Sequence, residues 1–170
     1  GHRDAQRRDG PDTAPDGDED MDVDSSFDIT WDTVGSIESV KLEYSIDGGG
    51  TYPASPTLPS NPIATGVVPN AGASTTFPWT IPDALSSQVW VKVTDEDESS
   101  VFDESDGDNT IRAVLDITDL AAYVRVGDIV PVTWSVLHGT LTNVDIEYSV
   151  DGVNYDFCKN ASGQDADNIT

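Results

Sequence analysis

The feature that most constrains this chain is that it repeats itself. Ile29-Thr30-Trp31 returns as Val132-Thr133-Trp134, and Tyr44-Ser45-Ile46-Asp47-Gly48 returns as Tyr148-Ser149-Val150-Asp151-Gly152. With the two tryptophans aligned, Met21 and Val23 fall on Val124 and Val126. Allowing one extra residue ahead of Gly139, Gly35, Ile37, Val40 and Leu42 fall on Gly139, Leu141, Val144 and Ile146. A repeat of this kind is one supersecondary unit used twice, so its residues are framework before they are anything else. Function has to be sought in what differs between the copies and in what joins them.

The pattern inside the repeat is that of strands. Met21 and Val23 alternate with aspartates, and Phe27, Ile29 and Trp31 with Asp28 and Thr30. Val40, Leu42 and Tyr44 alternate with Lys41 and Glu43, and Val89, Val91 and Val93 with Trp90 and Lys92. A period of two puts one face of each segment in a core and the other in water. Residues 63–68 predict a further short strand. Apolar positions 77, 79 and 81 predict another, stopped by Pro82, and Thr110–Leu115 a closing one. Asp47-Gly48-Gly49-Gly50 has the glycines that a hairpin turn with positive φ requires. Pro53, Pro56, Pro59 and Pro62 make residues 51–62 an extended loop or an interrupted edge strand.

No segment has a helical period. The expected fold is therefore all-β, as tandem Ig-like Greek-key β-sandwiches with the second one incomplete within this chain. Residues 1–14 read as a flexible leader or linker, 15–115 as the first sandwich and 116–170 as the N-terminal part of a second. Within the last span, 116–120 reads as the joint between the two. Counterparts of Trp79, of Val89–Val93 and of the closing strand are missing from the second copy. A half-sandwich exposes strand edges and an apolar face, and a strand donated from elsewhere is one way to complete it.

Charge narrows the class of partner. The chain carries 32 acidic and 8 basic residues, a net charge of −24. Arg3, Arg7 and Arg8 stand in the leader, so the remainder is almost purely acidic. Such a surface repels nucleic acid and anionic lipid. It suits a calcium-rich exterior, a high-salt habitat or solubility alone. No apolar run approaches the roughly 20 residues that a membrane-spanning helix needs. One cysteine, Cys158, excludes an intramolecular disulfide without arguing for the cytosol. His2 and His138 have no Ser, Cys or second His at a useful spacing, so no triad or zinc site is indicated, and nothing reads as catalytic.

Several motifs together resemble a known kind of module. They are Pro15-Asp16-Gly17, Ile29-Thr30-Trp31, Tyr44-Ser45 with Asp47-Gly48-Gly49, Trp79-Thr80-Ile81-Pro82-Asp83 and Val91-Lys92-Val93-Thr94-Asp95. The pattern is similar to the Ig-like or fibronectin-III-like β-sandwich repeats of very large secreted prokaryotic surface proteins. It also resembles the Ser-Thr-rich wall-protein domain of fungi. The resemblance covers residues 15–115 and, as a partial copy, 116–157; the Pro-rich insertion departs from it. It implies a non-enzymatic extracellular module of a cell-surface or filament-forming protein, whose partners are copies of itself or neighbouring repeats. It equally admits an adhesin or carbohydrate-binding module that meets surface glycans, or an accessory domain of a secreted hydrolase.

Three sets of residues are candidates for more than framework. Asp95, Asp97, Asp103, Asp106 and Asp108 crowd one acidic loop and offer the hard oxygen ligands calcium requires, though not at EF-hand spacing. A second acidic run comprises Asp16, Asp18, Glu19, Asp20, Asp22 and Asp24, and reads as a solvated face. Trp31, Trp79 and Trp134 lie within apolar alternation and read as core. Trp90 falls on the opposite face from Val89 and Val91, so it and Tyr52 are candidate interface or carbohydrate contacts. Asn160 and Asn168 stand in glycosylation acceptor sequences.

Overall fold

The structure, a computed structural model, describes residues 14–118, 123, 125, 127–128, 130–157 and 164–165. Residues 1–13 of the expected leader, Val124, Val126, Asn160 and Asn168 lie outside the described residues, while Ala14, its last residue, pairs with Thr30. The chain divides into two compact units, with the boundary between Arg112 and Ala113. There is no helix among the described residues; every regular element is a strand.

The first unit contains β1 (Asp20–Asp22), β2 (Ser26–Trp31), β3 (Val40–Ser45), β4 (Ala64–Val67), β5 (Thr75–Thr80), β6 (Ser86–Asp95), β7 (Phe102–Glu104) and β8 (Asn109–Arg112). Six of these form one sheet in the order β1-β8-β6-β3-β4, with β7 also on β6, while β2 and β5 form a separate pair. The long β6 organises the sheet. One edge of it pairs with β3 from Val40↔Asp95 to Ser45↔Trp90. Its other edge is shared in succession by β8, near Ser86 and Val89, and by β7, at Lys92–Thr94. The β1–β8 contact is parallel and the other pairings are antiparallel.

The core is made by the alternating residues of both layers. Met21, Ile29, Trp31, Val40, Leu42, Tyr44, Trp79, Ile81, Val89, Val91 and Ile111 are all buried in one cluster. Burying a side chain of this size stabilises by roughly 1.5–3 kcal/mol. The Trp79 ring stands 5.2 Å from that of Tyr44, tilted by 48°, so the β2–β5 pair meets β3 through these rings. This is a sandwich-like all-β unit with Trp31 and Trp79 in its interior, as their alternation predicts.

The Pro-rich stretch is neither extended nor an edge strand. It is a loop folded inward on two anchors, Leu58 and Asn61, each 2% exposed. Asn61 Oδ1 accepts from the Tyr44 N–H, and its Nδ2 donates to the carbonyls of Tyr44 and Pro53, each at 3.0 Å. One side-chain amide thus replaces a missing strand partner and satisfies backbone groups that would otherwise be buried unpaired.

Pro78 lies within β5 opposite Asp28. Thr30 exchanges both its backbone bonds with Ala14, on the side of β2 away from β5. Asp28 has the same parity as Thr30. Asp28 and Pro78 are therefore a non-hydrogen-bonded pair, and the nitrogen that lacks a proton faces the outer edge of β5.

The second unit contains β9 (Val114–Ile117), β10 (Trp134–His138), β11 (Asn143–Val144), β12 (Glu147–Tyr148), β13 (Asp156–Phe157) and β14 (Gln164–Asp165). They form three two-stranded pairs, β9–β10, β11–β14 and β12–β13. The pairings reproduce the first unit in part. Val144↔Gln164 stands where Val40↔Val67 does. The Thr118 N–H donates to the Thr133 carbonyl, as Ala14 does to Thr30.

Three expectations about strand extent are corrected. The closing strand of residues 110–115 breaks at Ala113, because β8 pairs in the first unit and β9 in the second. Asp116 and Ile117, expected in a joint, are strand for the same reason. In the second unit β10 begins at Trp134, where β9 supplies partners as far as His138. Finally, the acidic loop contains a strand, β7, which alternation could not reveal because Phe102 is half-exposed.

Candidate functional site

The turn after β3 is the best-defined piece of local chemistry, and it is built twice. Ser45 Oγ donates to Asp47 Oδ1 at 2.5 Å and accepts from the N–H groups of Asp47 and Gly49. The Asp47 carboxylate then accepts from the N–H and the hydroxyl of Thr51 at 2.8 and 2.7 Å. In the second copy Ser149 Oγ donates to Asp151 at 3.0 Å and accepts from Asp151 and Gly152. The Asp151 carboxylate accepts from the N–H groups of Val153 and Asn154 and from the Asn154 side chain. The second turn is shorter by one residue, and Gly152 takes the role of Gly49; both have positive φ, +74° and +76°. These bonds favour the charged carboxylate. Ser45, Thr51 and the turn amides hold Asp47 down at about 2, and the turn amides hold Asp151 well below the usual carboxylate range.

The two aromatic candidates come together on the outer face of the sheet. Register puts Trp90 and Lys92 of β6 on the side away from the core, beside Glu43 of β3 and Glu104 of β7. Trp90 is only half-exposed. Its indole N–H donates to Asp108 Oδ1 at 2.7 Å, and a Cβ placed on Gly49 would lie 3.1 Å from its ring. The Tyr52 hydroxyl donates to Glu104 Oε2 at 2.9 Å. Burial, and then the Glu104 carboxylate, raise the Tyr52 phenol above its ordinary range.

Lys92 completes the group. Its ammonium lies 4.0 Å from the centre of the Phe102 ring, 5.2 Å from that of Tyr52 and 3.9 Å from Glu104 Oε2. The result is a patch in which one cation is held between two aromatic faces and a carboxylate. Lys92, Phe102 and Glu104 were not legible as members. Lys92 could have been suspected from its shared parity with Trp90 in β6, whereas Phe102 and Glu104 required the β6–β7 register.

The five aspartates of the acidic loop do not converge. No group of three or more His, Cys, Asp or Glu side chains is placed to hold a metal ion among the described residues. Asp95 Oδ1 accepts from the N–H groups of Asp97 and Glu98, which closes the loop on itself. Asp108 is engaged with Trp90. Asp103 and Asp106 line a cleft of about 100 Å³ with Asp16 and Glu104. Partial desolvation, then the nearby Asp106 and Glu104 charges, raise the Asp103 carboxyl. The second acidic run is organised by protein groups. Met21 and Val23 are buried, and Arg112 binds Asp20 at 2.6 Å and Asp22 at 2.7 Å. Glu19 accepts from the backbone of Asp16 and Gly17.

No protein-family model, no curated protein and no solved structure matches this chain. No helix among the described residues is long and apolar enough to cross a membrane.

Proposed function

We propose that this chain is a non-enzymatic structural module: tandem Ig-like Greek-key sandwiches from an extracellular cell-surface or filament-forming protein. The observation that carries the reading is the Tyr-Ser-x-Asp-Gly turn, made from the same hydroxyl–carboxylate–amide bonds in both copies. A turn so reused is a construction element. Repetition of a rigid bead is how a chain gains length without new chemistry. The acidic surface keeps beads apart at low ionic strength, and divalent cations such as calcium bridge them where they meet.

The reading is tested on the purified chain by sedimentation velocity and negative-stain electron microscopy, with chelator and with millimolar calcium. Cation-dependent end-to-end assembly is the expected result. A strictly monomeric chain under both conditions counts against the assembly reading.

The aromatic patch supports a second reading, a carbohydrate-binding or adhesin module, because Phe102 is half-exposed and shares the Lys92 ammonium with Tyr52. Binding on a glycan array that Phe102→Ala and Trp90→Ala both abolish would favour it. Binding unchanged by either variant would remove the patch from consideration.

A further inference from the structure

The Lys92 ammonium sits where a free organic cation would also bind. Register sets Lys92 between two carboxylates, Glu43 of β3 on one side and Glu104 of β7 on the other. Surface lysines ordinarily keep the ammonium in water, and a chain with 32 acidic residues offers it carboxylates in every direction. Lys92 instead folds down onto the sheet. Its side chain is only 23% exposed, and the ammonium lies 4.0 Å from the centre of the Phe102 ring and 5.2 Å from that of Tyr52. Glu43 is meanwhile paired with Lys41 at 2.9 Å.

The walls of the site are held by bonds that do not involve Lys92. The Tyr52 hydroxyl donates to Glu104 Oε2 at 2.9 Å, which fixes ring and carboxylate to each other. The Thr94↔Phe102 register of β6 and β7 places the second ring. Ring faces beside a carboxylate suit an organic cation. They do not suit a hard metal ion, which needs several oxygens at about 2.3–2.6 Å. They also serve Lys92 incompletely. A primary ammonium has N–H donors to satisfy, and Glu104 Oε2, at 3.9 Å, is beyond hydrogen-bond length. An ammonium whose nitrogen is fully methylated has no donors to leave unmet and loses less hydration on entering between rings.

We propose that Tyr52, Phe102 and Glu104 form a binding site for a quaternary ammonium ion, and that Lys92 is its built-in competitor. The ligand enters between the two rings and takes over the Glu104 charge. The displaced Lys92 ammonium turns to Glu43, its register partner on the other side. The apparent affinity is then the intrinsic one reduced by the fraction of time that Lys92 leaves the site open. The ligand differs from the glycan of the second reading above, and the site does not depend on the repeat-module reading.

The test uses the full 170-residue chain, isotopically labelled, with choline as the probe and dimethylbutanol, its uncharged carbon isostere, as the control. In the free chain the Phe102 ring current holds the Lys92 ε-methylene proton signals upfield. Choline should return them saturably toward the ordinary lysine position. Dimethylbutanol, and sodium chloride at matched ionic strength, should leave them in place. Lys92→Ala removes the competitor and should tighten choline binding by about tenfold, read from the choline methyl signal. Phe102→Leu should abolish binding.

Absence of a saturable change in the unmutated chain overturns the proposal, and that titration needs no variant to fold. An equal response to dimethylbutanol overturns it as well, since shape rather than charge would then be recognised. Choline binding that Lys92→Ala leaves unchanged or weakens overturns the competitor role, and with it the proposal. An unchanged affinity in Phe102→Leu has the same force. Failure of the glycan reading would look different: a glycan array without hits, whatever choline does.

Discussion

Tyr44 and Tyr148 occupy the same place in the same motif, yet one is wholly buried and the other half in water. Around Tyr44 the first unit has strands on both sides of β3 and the Trp79 ring across the core. Around Tyr148 the second unit has a hairpin and nothing equivalent to β5 or β6 among the described residues. The serine–aspartate–glycine bonds of the turn form in both settings, in a turn one residue shorter in the second. Its bonds are therefore intrinsic to the sequence Tyr-Ser-x-Asp-Gly, while burial is a property of what is stacked on it. Local chemistry and tertiary cover are separable here, and each can be perturbed alone.

The sharpest test of that separation is a matched truncation. Leu42→Ala empties a fully buried site and should cost about 2–5 kcal/mol in urea unfolding of the first unit. Ile146→Ala, at the same place in an uncovered unit, should cost less than about 1.5 kcal/mol. Equal costs would mean that the second unit is covered in solution.

Asn61→Ala comes next. It strands the buried N–H and C=O of Tyr44 and should cost about 1–3 kcal/mol, with no counterpart among the described residues of the second unit. A cost below 0.5 kcal/mol, taken as about the limit for an ordinary surface change, would show that water replaces the amide.

The turn aspartates give a smaller effect that both copies should share. Asp47 is depressed in the fold to about 2, so its contribution is present above the ordinary carboxylate range and is lost as pH falls toward 2. Asp47→Ala should flatten the acid limb of the melting temperature between about pH 4 and 2, and Asp151→Ala should act in the same direction. A steep acid limb that survives in both variants would assign acid sensitivity to other groups.

Smallest of all should be Arg112→Gln at the exposed Asp20–Arg112–Asp22 contact. It should give a shift near the limit of detection that vanishes in 1 M salt. A large, salt-resistant loss would mean that the contact orients β1 on β8.

Legibility in the sequence followed the same division. Where alternation ran unbroken, as in β2, β3 and β6, the strands and their buried sides could be read directly, since side-chain parity is local. Strand ends could not. Trp134–His138 is a strand because β9 lies beside it, and Phe102–Glu104 because β6 does, each partner lying across an intervening segment. The same reason hid Asn61, whose value lies entirely in the distant backbone it reaches. Of the candidate sites, Trp90 and Tyr52 were found as individuals, but the lysine that sits over the Tyr52 and Phe102 rings was not. The acidic loop was legible as charge alone. Its carboxylates are drawn to separate backbone and indole donors rather than to one another.

Pro78 bears on what the rim of β5 can pair with. With its proton-less nitrogen turned to the outer rim of β5, that rim cannot offer a complete row of donors to a neighbouring strand. A chain of many beads brings its own copies to high local concentration, where lateral stacking into fibres is the main hazard. In the repeat module proposed above, a proline at this position would keep that rim of the first unit from pairing laterally and leave association to other contacts.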